Sequence, residues 1–215
     1  MKPYTDRRAA GRVLGDSVAA EVRAQPDLLV LGLPRGGVPV AAEVAARLGA
    51  PLDVLVVRKL GVPGHEELAM GAIASGGAEF VDRSLVGRLG VSPEAVARVM
   101  RREHAELARR ERAYRGDRPP LDLRSRTVVL VDDGLATGSS MRAAVEAVRA
   151  AGAPVVVVAV PVAPPEAVAK LSDVADAVIC PLVPSWFHAV GSWYLNFEQT
   201  SDEEVEALLA RPTRQ

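Results

Sequence analysis

The sequence has 215 residues, is 49% hydrophobic and 25% charged, and carries a formal net charge of −1. That near-neutral balance gives no electrostatic case for nucleic acid as the main partner, and no apolar run approaches the ~20 residues of a membrane helix. A single cysteine, Cys180, excludes an internal disulfide framework and predicts a reducing, cytoplasmic setting. The opening residues, with Lys2, Asp6, Arg7 and Arg8, do not form a basic-then-apolar leader.

In chain order, an amphipathic helix is expected first, capped near Thr5 or Asp6, with Ala10, Val13, Leu14, Val18 and Val22 as its apolar stripe. No chemistry is assigned to it. Leu28 to Leu33 is a short apolar run, followed by "PRGG" and a helix from about Val38. Gly36 and Gly37 permit close backbone approach there, and Arg35 adds a cation. Leu52 to Val57 is a second run, leading to Arg58 and Lys59. Leu60 to Leu68, with Gly61, Pro63 and Gly64, suits a mobile loop; His65, Glu66 and Glu67 within it could present a general acid or base.

From Val81 to Arg115 the pattern changes. Asp82 to Leu89 reads as a short helix, and Ser92 caps a second with Pro93 at its first position. Val96, Met100, Leu107 and Tyr114 form a stripe on that helix; the rest is Arg and Glu, either a solvated face with pairs such as Glu106 and Arg110 or an anion- or partner-binding arm. Further runs follow at Val128 to Val131, Val155 to Val160 and Ala177 to Cys180, separated by helices over Gly138 to Ala151 and Pro165 to Leu171. Short Val/Ile/Leu runs alternating with helices predict an α/β fold, a mainly parallel sheet with helices on both faces. One domain is expected, with a helical insertion at about 82–115 and an aromatic tail at about 181–215.

The stretch "VVLVDDGLATGSSM", Val128 to Met141, brings Asp132 and Asp133 to a strand's carboxyl end, where ligands gather in such sheets. Ala136, Thr137, Gly138, Ser139 and Ser140 then open a helix whose unpaired N–H groups suit a phosphate. Carboxylates beside a phosphate cup suit a ligand with hydroxyls next to its phosphate, such as a ribose 5-phosphate. This stretch resembles the phosphoribosyl diphosphate (PRPP) motif of type I phosphoribosyltransferases. Two positions depart from that pattern. Gly134 stands where the family usually has an aliphatic residue, and Ala136 where hypoxanthine–guanine enzymes have an aspartate acting on the purine. The motif is closer to the adenine and orotate branches.

The resemblance implies Mg2+-dependent transfer of the 5-phosphoribosyl group from PRPP to a nitrogenous acceptor. Asp132 and Asp133 would hold ribose hydroxyls and metal, directly or through water. Ala136 to Ser140 would take the 5-phosphate, and Arg35, Gly36, Gly37, Arg58 and Lys59 the diphosphate. Lys59 and Glu66 would join the acids in catalysis. The family often has a cis or strained peptide in its first loop, uses a closing loop, and forms dimers. Its variable hood binds the acceptor. Here the tail from Pro181 to Val205, with five of the chain's eight aromatics, is the expected hood, with or without the first helix; Trp186 and Phe187 are placed to stack on an acceptor. A PRPP- or nucleotide-sensing regulator on the same fold, and phosphorolysis in the reverse direction, are the competing readings. The three histidines lie far apart, so no structural zinc site is expected.

Overall fold

A computed structural model describes residues 3–22 and 25–210, apart from the side chain of Glu67. Five parallel strands form the central sheet: β1 (Leu28–Gly32), β2 (Leu52–Val54), β6 (Thr127–Val131), β7 (Val155–Ala159) and β8 (Ala177–Ile179), in the order β2-β1-β6-β7-β8. Alternate residues of these strands feed two apolar layers, which is why the runs are continuous rather than half polar. Val30, Val129, Val131 and Val157 meet α1 (Arg7–Glu21) and α2 (Gly37–Leu48) on one face. Leu29, Leu31, Val128, Leu130 and Val158 meet α5 (Ser139–Ala150) and α6 (Pro165–Ser172) on the other. The expected mainly parallel sheet, covered on both faces, is what the chain forms.

Two expectations need correction. The run from Leu52 to Val57 is not one strand. Leu55 still donates its N–H to Gly32 O at 3.1 Å, but Val56 bonds in both directions to Ser75, its N–H donating to Ser75 Oγ at 3.0 Å. The chain there leaves the parallel sheet and enters a separate antiparallel sheet of β3 (Val57–Val62), β4 (His65–Ala74) and β5 (Ala78–Val81). The stretch Leu60 to Leu68 is therefore the end of a hairpin. Pro63 and Gly64 form its turn, Gly64 at φ 80°, the backbone a Pro-Gly turn requires.

The helical insertion is present as α3 (Arg83–Arg88) and α4 (Pro93–Arg115), capped by Asp82 and Ser92. Val96, Met100, Leu107 and Tyr114 do form the apolar stripe, packed on Leu60, Met70 and Ile73 of the hairpin. Glu106 accepts from Arg110 at 2.7 Å. A buried ion pair holds the far end of α4, where Arg115 grips Asp53 with two bonds of 3.0 Å.

Helix α1 is capped by Asp6, which accepts from Ala9 N at 2.7 Å. Its buried face differs from the expected stripe: Val13 is 46% exposed, whereas Gly11 and Gly15 are buried against Glu43 and Arg47 of α2. The tail after β8 crosses the carboxyl lip of the sheet, bridges Tyr194 to Tyr4, and ends in α7 (Asp202–Leu209), a helix the sequence reading did not identify. The expected tail's last five residues, 211–215, lie outside the described residues. No helix among the described residues is long and apolar enough to cross a membrane.

Candidate functional site

Strand β1 runs on to β2 at one side, while β6 runs on to β7 and β8 at the other. Their shared carboxyl end is therefore the switch point of the sheet, where a crevice forms and ligands gather. Asp132 and Asp133 follow β6 there. The loop after β1 folds back over them: Leu33 N donates to Val131 O at 2.9 Å, and the Pro34–Arg35 peptide is cis, as expected for this loop. Two glycines come next, packed close on the acids. A Cβ on Gly36 would lie 2.1 Å from Asp133 Oδ2, and one on Gly37 2.7 Å from Val131 O. The two expected motifs, distant in sequence, thus form one surface.

Each carboxylate has one committed oxygen. Asp132 Oδ1 accepts from the Asp133 N–H at 2.8 Å, and Asp133 Oδ2 accepts from Arg7 Nε at 2.8 Å. Asp132 Oδ2 and Asp133 Oδ1 receive no hydrogen bond from the described residues. Burial, then the neighbouring Asp133 carboxylate, push Asp132 well above the usual carboxylate range. Burial also raises Asp133, against the opposing hydrogen bond from Arg7. The pair thus presents two free oxygens and a deficit of positive charge, a donor set that fits Mg2+. Among the described residues no cluster of three or more His, Cys, Asp or Glu occurs, so the remaining metal ligands would come from the bound molecule or water.

The turn after the acids is open. Ala136, Thr137, Ser139 and Ser140 are exposed. Gly138 enters α5 at φ 74°, with no side chain capping the helix. Thr137 Oγ1 and Ser139 Oγ lie 3.0 Å apart. The Ser139 N–H donates weakly to Thr137 Oγ1 at 3.4 Å, so the N–H groups of the helix start, two facing hydroxyls and the positive end of a helix dipole lie together at an exposed turn.

The expected diphosphate residues divide. Gly36 and Gly37 adjoin the acids. Arg35 lies 3.6 Å from Asp202, at the start of α7. Arg58 turns to α4, where buried Glu103 accepts from its Nε at 2.8 Å and its Nη2 at 2.6 Å. Lys59 lies on the opposite face of β3, in register with Ala72, and has no ion pair among the described residues. Glu66 is exposed on the α4 side of the hairpin, lining an open cavity of about 290 Å³ with Arg98 and Arg102.

In the tail, Trp186 is 85% exposed. Phe187 packs toward Ala10, Leu182 and Tyr194. The aromatics nearest the acids are others. The Tyr194 hydroxyl donates to the Asp133 carbonyl, and its ring lies 4.9 Å from that of Phe197. Arg7 stacks 4.0 Å above Phe197. Tyr4 closes the group, donating to Pro161 O at 3.0 Å. Gly134 is also explained: a Cβ there would lie 2.6 Å from Val190, so the tail fills the volume an aliphatic side chain would need.

Arg7 is the contact the sequence reading missed. Its signal was an arginine pair, Arg7 and Arg8, in the first turn of α1, where the helix dipole disfavours cations. Such residues need acids elsewhere; Arg7 has Asp133, and Arg8 lies 3.9 Å from Glu204.

An acidic step, a glycine loop packed upon it and an exposed helix start lie together at the switch point of a parallel sheet, where α/β proteins of this topology hold their ligands. Residues 7–198 match the family of the phosphoribosyl transferase domain, and the chain belongs to that family. It is 48% identical over 214 residues to the Mycobacterium tuberculosis H37Rv protein named "Putative phosphoribosyl transferase Rv0571c", and equally to its counterpart in strain CDC 1551. The match covers 100% of this chain and 48% of those relatives, so the chain spans about half their length. The crystal structure of TT1426 from Thermus thermophilus superposes with a TM-score of 0.88 at 45% identity, covering 97% of this chain and 98% of that one.

Proposed function

We propose that this chain is a Mg2+-dependent phosphoribosyltransferase that moves the 5-phosphoribosyl group of PRPP to a nitrogenous, nucleobase-like acceptor and releases diphosphate. The observation that carries the proposal is the acidic step at the β1/β6 switch point, with a free oxygen on each carboxylate and an uncapped, unobstructed helix start beside it. The free oxygens of Asp132 and Asp133 accept from the ribose 2- and 3-hydroxyls and hold Mg2+, directly or through water. Held by these two acids, Mg2+ would supply positive charge against the departing diphosphate. Ala136 to Ser140 hold the 5-phosphate with backbone N–H groups and hydroxyls, a remote handle that orients the anomeric carbon. The Gly36–Gly37 backbone and Arg35 face the diphosphate.

Lys59 is the cation we assign to charge that develops on the leaving group. Arg58 adjoins it along β3 and contributes through the hairpin. Glu66 is the candidate proton-transfer group on the same hairpin; hairpin movement would bring it to the acceptor and exclude water. The tail is the acceptor hood, with Phe197 added to Trp186 and Phe187 as stacking candidates. We further propose a cytoplasmic homodimer acting in nucleotide metabolism.

A second reading, a PRPP or nucleotide sensor with little transfer, draws on one observation: Arg35 and Arg58 both face protein carboxylates. The test is diphosphate release from PRPP and Mg2+ across purines, pyrimidines and amines, beside calorimetric PRPP binding. Release with one acceptor class supports transfer; binding without release supports the sensor. Replacing both acids, Asp132→Asn with Asp133→Asn, should abolish PRPP binding. Unchanged affinity in that double variant would remove the basis of both readings.

A further inference from the structure

We infer that Arg7 is a positioning residue, the part of α1 that fixes which oxygen of Asp133 meets the ribose and ties that oxygen to the hood. The inference rests on the phosphoribosyl reading above.

The Arg7 guanidinium is held on three sides. Its Nε donates to Asp133 Oδ2 at 2.8 Å, its Nη1 donates to the Glu198 carbonyl at 2.6 Å, and its plane covers the Phe197 ring. The Arg7 and Asp133 side chains are only 12% and 14% exposed. A planar guanidinium bonded along two edges and stacked on a face has one orientation, and it imposes one on its acceptor. The Asp133 carboxylate is pinned from two further directions. The Gly36 backbone passes so close that a Cβ there would lie 2.1 Å from Oδ2, and Tyr194 holds the Asp133 carbonyl. The committed oxygen is thus sealed between Arg7 and the glycine loop. Oδ1 alone is left for a ligand. Without Arg7 the carboxylate could rotate about its last torsion, and both oxygens would exchange places at the ribose.

Glu198 and Phe197 belong to the tail, Arg7 to α1, and Asp133 to the lip of β6. One side chain therefore joins the acceptor side to the ribose side. Lysine cannot replace it fully, because an ammonium cannot donate along two edges while stacking.

The experiment is calorimetric binding of PRPP with Mg2+ to the full chain and to Arg7→Gln, Arg7→Lys, Asp133→Asn and the double variant Arg7→Gln/Asp133→Asn. Arg12→Gln, also on α1 but 62% exposed and 3.9 Å from Glu43, is the charge control. Arg7→Gln should weaken PRPP roughly tenfold to hundredfold, the worth of a charge-assisted hydrogen bond, and Arg7→Lys should recover part of that loss. On the Asp133→Asn background, Arg7→Gln should add less than about twofold, since coupled residues are not additive. A helix merely weakened by the substitution would show additive losses. If Asp133→Asn loses PRPP while Arg7→Gln binds like the wild type, or if the two losses add, Arg7 is not a positioning residue and the phosphoribosyl reading stands. If Asp133→Asn itself keeps full affinity, that reading fails first. Should Arg7→Gln not fold, Arg7→Lys in the same cycle decides.

Discussion

Asp132 shows how far a single residue at this lip departs from a stability optimum. Burial and the adjacent carboxylate raise its pKa, so the fold binds its proton more tightly than the unfolded chain does. The stabilising contribution is complete at acid pH and is lost as pH rises through the raised value. Negative charge on this carboxyl is therefore unfavourable to the fold, and a bound cation would relieve it. Asp132→Asn, without divalent metal at about pH 8, should raise Tm by about 2–4 °C, the effect of about 1 kcal/mol in a chain of this length. The gain should shrink as pH falls to the ordinary carboxylate range near about 4, below which the side chain carries its proton in fold and unfolded chain alike. A thermal melt series across pH, with and without Mg2+, reads this directly; an equal or lower Tm for the variant at high pH would contradict it. Cys180 departs in the other direction, toward inertness. Burial pushes its thiol up to about 11. Roughly one thiol in a thousand is thiolate at about pH 8, so native labelling by a thiol reagent should be at least about a hundredfold slower than in urea.

At the scale of elements, β3 has one face packed on α4 and one face turned away from it. Arg58 and Leu60 face α4; Lys59 faces away. Arg58→Met leaves buried Glu103 with only Arg102 as partner, at 2.9 Å, and should cost about 1–3 kcal/mol in denaturant melts while changing PRPP affinity less than about threefold. Lys59→Met should do the reverse. Equal effects on both properties from both variants would refute the division. With Leu52–Val57 taken as one strand, Arg58 and Lys59 form a single basic pair at its end. Ser75, nineteen residues on from Val56, is what bends that run, and periodicity cannot register so distant a partner. Other signals were present. Pro63-Gly64 and Gly76-Gly77 mark the turns of the three-stranded sheet, and Ser201 with Glu204 forms the capping start of α7, where Ser201 Oγ accepts from Glu204 N at 3.1 Å. The five parallel strands, α4 and the acidic step were legible because each is written in contiguous residues. Arg7 and Gly134 were not, since their roles come from Asp133 and Val190, far along the chain. Gly134→Val, the change toward the family's usual aliphatic residue, should accordingly displace the tail and cost about 1–3 kcal/mol by overpacking.

Across the whole molecule, the two ends of the chain are built into the same lip as the acidic step. Tyr4 and Arg7 come from one end, Tyr194, Phe197 and Glu198 from the other, and α7 closes beyond them on the edge of the sheet. That arrangement makes the tail structural as well as a candidate hood. Val205, Leu208 and Leu209 are at most 3% exposed and pack on Val38, at the start of α2, and Val54, at the end of edge strand β2. Burial of three such side chains contributes roughly 5–9 kcal/mol, against a total of about 5–15 kcal/mol for a typical fold. Removing α7 by ending the chain after Thr200 should therefore leave a protein that is largely unfolded or aggregates at 37 °C, even though every residue of the acidic step and of the turn after it remains. Circular dichroism and size exclusion of that truncation give the answer, and Val205→Ser with Leu208→Ser in the intact chain separates lost packing from lost length. A truncated chain that melts like the wild type would mean that α7 rests on the sheet without supporting it, and its tie to the lip that carries the acidic step would then reduce to the pairing of Asp202 with Arg35.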